Sequence, residues 1–173
     1  DFLVALAVAY QVQCRLSEDA PVRSKGFDHA TQGAYAVAAG ASRALGLDSC
    51  RTANAIAISG TALNSLRVTR TGCLSNWKGL AYPFTSFCAV QAVFLARAGI
   101  TGPLQVFEGK NGFMDTIAGR FKIDWSKENL EAVRRTIVKR YNAEIHSQSA
   151  IECMLAMRSE DGVKAEDTDS IDV

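Results

Sequence analysis

A chain of 173 residues, 48% hydrophobic and 21% charged, carries enough apolar material for one domain with a real core and is not a disordered composition. With 19 basic residues against 18 acidic the formal charge is +1, which argues against nucleic acid or an anionic membrane as partner; attraction for anions must be local. Cys14, Cys50, Cys73, Cys88 and Cys153 are scattered without a CxxC pair, and His29 and His146 are the only histidines, so no metal site of standard spacing is expected. Buried, inert thiols in a reducing compartment, the cytoplasm or the mitochondrial matrix, are the simplest reading.

The opening run, Asp1 to Cys14, is apolar but short for a membrane span, and Gln11 and Gln13 interrupt it. Phe2, Leu3, Leu6, Ala7, Tyr10 and Cys14 broaden a helical stripe over 2–16 until nearly every face is apolar, which predicts a buried helix ending before Pro21. A loop, "RSKGFDHAT", follows. Thr31 to Leu45 is rich in alanine and glycine and reads as a helix closed by Gly46, with Asp48 as N-cap of the next helix to Leu63. Small residues at this density suit helices whose backbones approach closely.

Asn64 to Ala81 reads as an irregular polar and glycine-rich segment. Beyond it Phe87, Val90, Phe94, Leu95 and Ala98 repeat at helical spacing, and Gly99 ends the helix. A short helix is expected over Met114 to Ala118. From Arg120 the texture changes: "RFKIDW" and "KRYNAEIH" read as strands or extended links, and Leu130, Val133, Ile137 and Val138 as the face of a helix between them. "HSQSAIECMLAMR" reads as a helix burying Ile151, Met154 and Leu155, and Ile171 and Val173 alternate with polar residues as at the start of a strand. The expected fold class is mainly α: a helical bundle over 1–119 leading into a smaller α+β part over 120–173. The abrupt start inside a helix and the strand-like end suggest a piece of a longer polypeptide, whose remainder would be its first partner.

Few titratable groups stand out. His29 lies in "GFDHAT" just before a helix, where by itself it reads as a loop histidine capping that helix. Lys78 is the one charged residue between Arg70 and Arg97, and reads either as a solvated loop lysine or as an anchor for an anion. Lys139 reads as a cation at a helix end, and His146 opens a helix, a place suited to a neutral histidine or a bound anion. Arg67 and Arg70 read as loop cations, and Trp77 and Trp125 as packing residues. Two histidines and two lysines suggest a site that binds carboxylates and moves protons without a cofactor.

Three stretches, "GFDHATQGAYAVAAGASRALGLD", "SNWKGLAYPFTSFCAVQAVFLARAGITGPLQVFEGKNGFMD" and "KRYNAEIHSQSAIE", resemble in order and spacing the signature regions of the MmgE/PrpD family. That family includes 2-methylcitrate dehydratase, cis-aconitate decarboxylase and iminodisuccinate epimerase. The resemblance implies that this chain spans the second half of an all-helical domain and the start of an α+β lid. It implies a cofactor-independent lyase acting on a small di- or tricarboxylate, with catalytic groups His29, Lys78, Lys139 and His146. Asp28, Trp77 and Arg70 stand as candidate substrate-binding residues, and a further Asp/Thr/His cluster would lie upstream of Asp1. Dimerisation through the broad apolar helix faces is expected, as is no metal, nucleic acid or membrane partner.

Overall fold

A computed structural model describes residues 1–170; the strand expected to begin at Ile171 and Val173 lies outside the described residues. These residues form two compact units, one spanning Asp1–Arg135 and one beginning at Thr136. Four helices build the first: α1 (Phe2–Asp19), α2 (Ala30–Ala44), α3 (Ser49–Ala62) and α4 (Trp77–Arg97). The second contains α5 (Gln148–Glu160). The chain is mainly α; among the described residues the sole β feature is one antiparallel bridge between Phe27 and Leu66.

Helix α2 organises the first unit because it packs against α1, α3 and α4. Alanine has the highest helix propensity, and a helix clothed in alanine and glycine offers almost no side-chain bulk on any face. Residues Ala30 through Ala36 are accordingly buried in succession, and Ala38, Ala39, Gly40 and Ser42 follow. Tyr35 is the large exception. Its ring enters a core of Leu16, Ala20, Val22, Ala57, Val106 and Phe113, where Phe107 and Phe113 lie 4.8 and 5.1 Å from it between centroids. Gly60 of α3 makes this possible: a Cβ there would stand 2.1 Å from Tyr35 Cε1.

The expected caps are present. Asp48 accepts a hydrogen bond from the Arg51 amide at 2.8 Å, meeting one of the orphan donors of α3. Gly99 follows α4 with a left-handed φ of 96°.

Other expectations need correction. Helix α1 is not wholly buried: Phe2 and Leu3 are 74% and 77% exposed, and only Ala5, Gln11 and Leu16 are fully covered. Helix α4 begins ten residues before Phe87, at Trp77, and takes in Lys78 to Ala81 with Pro83 inside it. Its polarity is also inverted. The small residues Ala81, Thr85, Ala89, Ala92, Val93 and Ala96 face α2 and α3, while Leu80, Phe84, Phe87, Phe94 and Leu95 face outward. Close backbone packing on α2 and α3 admits only small side chains, so the periodic large residues are left on the other side. This is the one described helix long and apolar enough to cross a bilayer by length and composition alone, and it packs one face into the bundle.

No helix carries Leu130, Val133, Ile137 and Val138. A single 3₁₀ turn, Ala132–Arg135, is all that forms, and Ile137 and Val138 are 77% and 90% exposed. Leu130 has a φ of 62°, a left-handed conformation no α-helix tolerates, and the β-branched residues after it lose rotamer freedom in a helix. "RFKIDW" is an extended link whose Phe121 and Ile123 pack on the core around Tyr35. "KRYNAEIH" is also irregular, for a local reason: Gln148 accepts from the Tyr141 amide at 3.0 Å and donates to the Tyr141 carbonyl at 3.1 Å. One side chain thereby satisfies the backbone groups that a strand partner would otherwise take. Helix α5 forms where expected, but Met154 and Leu155 are exposed and no residue of it is fully buried. The thiols are free, yet Cys50, Cys73 and Cys153 are exposed rather than buried.

Candidate active site

The junction between the "GFDH" loop and α2 gathers most of the chemistry of the first unit. His29 occupies the N-cap position of α2, but its side chain makes no capping bond. Asp28 does that work: its Oδ1 accepts from the Ala30 amide at 3.0 Å. The Asp28 side chain is 0% exposed, and its Oδ2 receives Nε of Arg70 at 2.6 Å. His29 Nδ1 lies 3.3 Å from Asp28 Oδ1, and the imidazole side chain is 42% exposed. Its ring stacks on Tyr82 of α4, with centroids 5.6 Å apart and planes inclined by 28°. Tyr82 is held in turn by its hydroxyl, which donates to Gln13 Oε1 on α1 at 3.1 Å. Gly33 on α2 leaves room for that ring, since a Cβ there would come within 2.7 Å of Tyr82 Cε2.

Electrostatics follow from this packing. Burial alone would raise the Asp28 carboxyl, but the Arg70 hydrogen bond, the Ala30 amide and the positive charges around it outweigh that and hold it below its ordinary range. His29 is pushed below its ordinary 6.5, chiefly by burial; Asp28 pulls the other way, and Arg70, Arg23 and Arg67 push it down again. The imidazole is therefore neutral at neutral pH, which a general base requires. Tyr82 is raised by burial and by Tyr10 nearby, so its hydroxyl keeps its proton. Beside His29 a shallow cleft of about 380 Å³ opens between Gln13, Ser17, Arg23 and Gln32.

Lys78 sits in the first turn of α4, half-buried, and its ammonium has no ion-pair or hydrogen-bond partner among the described residues. Tyr82 lies four residues on, one turn along α4 from the lysine. Its carbonyl accepts from Nη1 of Arg70 at 3.4 Å.

The model of the MmgE/PrpD N-terminal domain matches residues 1–126. The chain belongs to the MmgE/PrpD family. This is a family of dehydratase and lyase-type enzymes, and the matched segment lies within the first compact unit.

Among the candidate residues of this MmgE/PrpD chain, the structure brings His29, Asp28, Arg70 and the backbone of Lys78 together. Trp77 stands apart: it is half-exposed, tilts against Phe84 at 5.4 Å, and lines a separate groove of about 560 Å³ with Leu66, Cys73 and Thr85. Lys139 and His146 belong to the second unit, where both are exposed. The His146 amide donates to Glu144 Oε2 at 2.6 Å, and that bond, against the desolvation cost, helps hold the Glu144 carboxyl below its ordinary range. Tyr82 and Gln13 are the residues that sequence reading missed. Tyr82 was findable as the i+4 neighbour of Lys78, whereas nothing in the sequence links Gln13 to either. Among the described residues no three of His, Cys, Asp and Glu gather as a metal-binding set would.

Proposed function

We propose that this chain is the central part of a cofactor-independent lyase that dehydrates a small tricarboxylate, 2-methylcitrate in the first instance. The observation that carries this reading is a neutral, half-exposed His29 stacked on Tyr82, one helical turn from Lys78, a lysine with no carboxylate partner among the described residues. A carboxylate leaving water needs charge-assisted hydrogen bonds in return, and Lys78 would supply one. His29, stacked on Tyr82, would remove the proton α to a carboxylate through Nε2; Arg23 and Arg67, which keep the imidazole neutral beforehand, would favour the negative charge that builds on the substrate carbon. Lys139 and His146 would close over the substrate as a lid, and the upstream Asp/Thr/His cluster would complete the site. Trp77 would be a further substrate contact. The cytoplasm or mitochondrial matrix is the compartment proposed.

The test is turnover by the complete polypeptide, following the unsaturated product from 2-methylcitrate and carbon dioxide release from cis-aconitate. We expect dehydration, with His29→Gln lowering kcat by about 10²–10⁴-fold and Lys78→Ala raising KM. Decarboxylation of cis-aconitate or epimerisation of an amino-dicarboxylate would redirect the assignment within the family. No turnover of any of these, together with unchanged ligand binding in Lys78→Ala, would refute it.

A second reading, from a different class, has its own observation. The outward face of α4 presents Leu80, Phe84, Phe87, Phe94 and Leu95 together, a face that a second copy would cover in a homodimer. If the chain served dimerisation alone, Phe87→Glu would split the dimer in sedimentation while His29→Gln altered nothing.

A further inference from the structure

We infer that Asp28 and Arg70 form a positioning pair, which sets the orientation of His29 relative to the first turn of α4, and that neither touches substrate. This rests on the reading of His29 as the proton-abstracting group.

The geometry leaves Asp28 no free oxygen. Its Oδ2 takes Arg70 Nε at 2.6 Å; its Oδ1 takes the Ala30 amide at 3.0 Å, the second arm of Arg70 at 3.5 Å, and lies beside His29 Nδ1. Fully enclosed, it could not reach a ligand, and an ionised carboxylate would repel an anionic one. Arg70 cancels that charge. The guanidinium then uses its remaining arm on the Lys78 carbonyl, so one side chain spans the His29 loop and α4.

The backbone around the pair is laced to the same end. The Asp28 amide donates to the Ser65 carbonyl at 2.8 Å, and the Arg67 amide donates to the Gly26 carbonyl at 2.9 Å. Thr31 Oγ1 accepts from the Ser65 amide at 2.9 Å. Three segments, 26–31, 65–70 and 77–82, thus meet at Arg70, and the imidazole sits between the Asp28 carboxylate and the Tyr82 ring. With Nδ1 turned toward Asp28, the free nitrogen is Nε2. Asp28 therefore selects which nitrogen can accept a proton, and Arg70 keeps that carboxylate from holding the imidazole protonated.

The charged and titratable groups facing His29 are Asp28 on its own loop, Arg23 from the turn before it, Arg67 and Arg70 from the 67–70 turn, and Tyr82 from α4; α1 contributes the uncharged Gln13. Removing one member of the pair should move His29 one way, and removing the other should move it the opposite way. Opposite signs report the two charges; the ratio of Nδ1-protonated to Nε2-protonated imidazole reports its orientation, and a neighbour that only carried charge would leave that ratio unchanged.

The experiment is a ¹⁵N NMR titration of the His29 imidazole in the complete polypeptide, its signal assigned by loss in His29→Gln. In Asp28→Asn the midpoint should fall by about one pH unit, since an adjacent opposite charge shifts a group by about that much or more, and the share of the Nδ1-protonated tautomer should drop. In Arg70→Met it should rise, with a larger share of the Nδ1-protonated tautomer retained. Should Arg70→Met fail to fold, Arg70→Gln, which retains two donors, takes its place with the same expected rise. Shifts of the same sign in both variants, or a tautomer ratio that Asp28→Asn leaves unchanged, overturn the proposal. The readout needs no substrate, so opposite shifts in a protein that turns over no carboxylate would refute the lyase reading and leave the positioning pair standing.

Discussion

Gly60→Ala is the sharpest test of how the bundle is assembled. An ideal Cβ at position 60 would lie 2.1, 2.5 and 2.9 Å from Cε1, Cζ and Cδ1 of Tyr35. Carbon atoms rest about 3.5–4.0 Å apart, so the ring would have to withdraw by more than about 1 Å. It has nowhere to go. Tyr35 is 1% exposed, with Phe107 and Phe113 against its other sides, and its hydroxyl donates to the Gly60 carbonyl at 3.4 Å. Overpacking of this kind costs about 1–3 kcal/mol, occasionally more, while alanine in place of glycine in a helix returns about 0.8–1 kcal/mol. The clash wins. With the ring enclosed the cost falls at the upper end of that range, and a net loss of about 2 kcal/mol lowers the thermal midpoint of a chain this size by about 4–8 °C, readable by circular dichroism. Gly79→Ala supplies the control: nothing lies within 4 Å of a Cβ there, so it should gain up to about 1 kcal/mol. Adding Tyr35→Leu to Gly60→Ala should give a double variant less destabilised than the sum of the singles, because the ring that clashes is gone. If Gly60→Ala proved as stable as the parent protein, the close contact of α2 and α3 through Tyr35 would be refuted.

Two more outcomes follow from local structure. Asp48→Ala removes the acceptor for the Arg51 amide and should cost about 0.5–2 kcal/mol in urea denaturation; no change in midpoint would mean α3 is capped by other means. Stability should also fall on acidification in two stages. His29 titrates lower in the folded chain than its ordinary 6.5, so the unfolded chain binds the extra proton first and stability declines as pH drops below 6.5 toward the folded-state value. Asp28 is depressed below 3.8, so its contribution is present above that value and is lost as pH falls through the folded-state value. In His29→Gln the first stage should shrink, while in Asp28→Asn the second should; urea midpoints from pH 7 down to about pH 2 would show which.

Much of the helical architecture was legible in the residues. Alanine and glycine between Thr31 and Ala62 impose close-packed helices, because a backbone with little side chain can bury itself only against other backbones. Asp48 and Gly99 mark helix ends because cap geometry is local. Asp28, His29 and Lys78 stand as site candidates through the resemblance of their motifs; by themselves His29 reads as a capping histidine and Lys78 as either a loop lysine or an anion anchor. What local reasoning could not decide was direction. Periodicity says that Phe87 and Phe94 share a face, not that this face points outward; that depends on α2 and α3 admitting only the small-residue side of α4. Nor could it say that Asp28 and Arg70, 42 residues apart, cancel one another inside the protein, or that Gln13 would hold the tyrosine on which His29 rests. Those pairings join segments that only tertiary packing brings together. They turn a loop histidine that the sequence offered as a cap into an oriented, neutral imidazole.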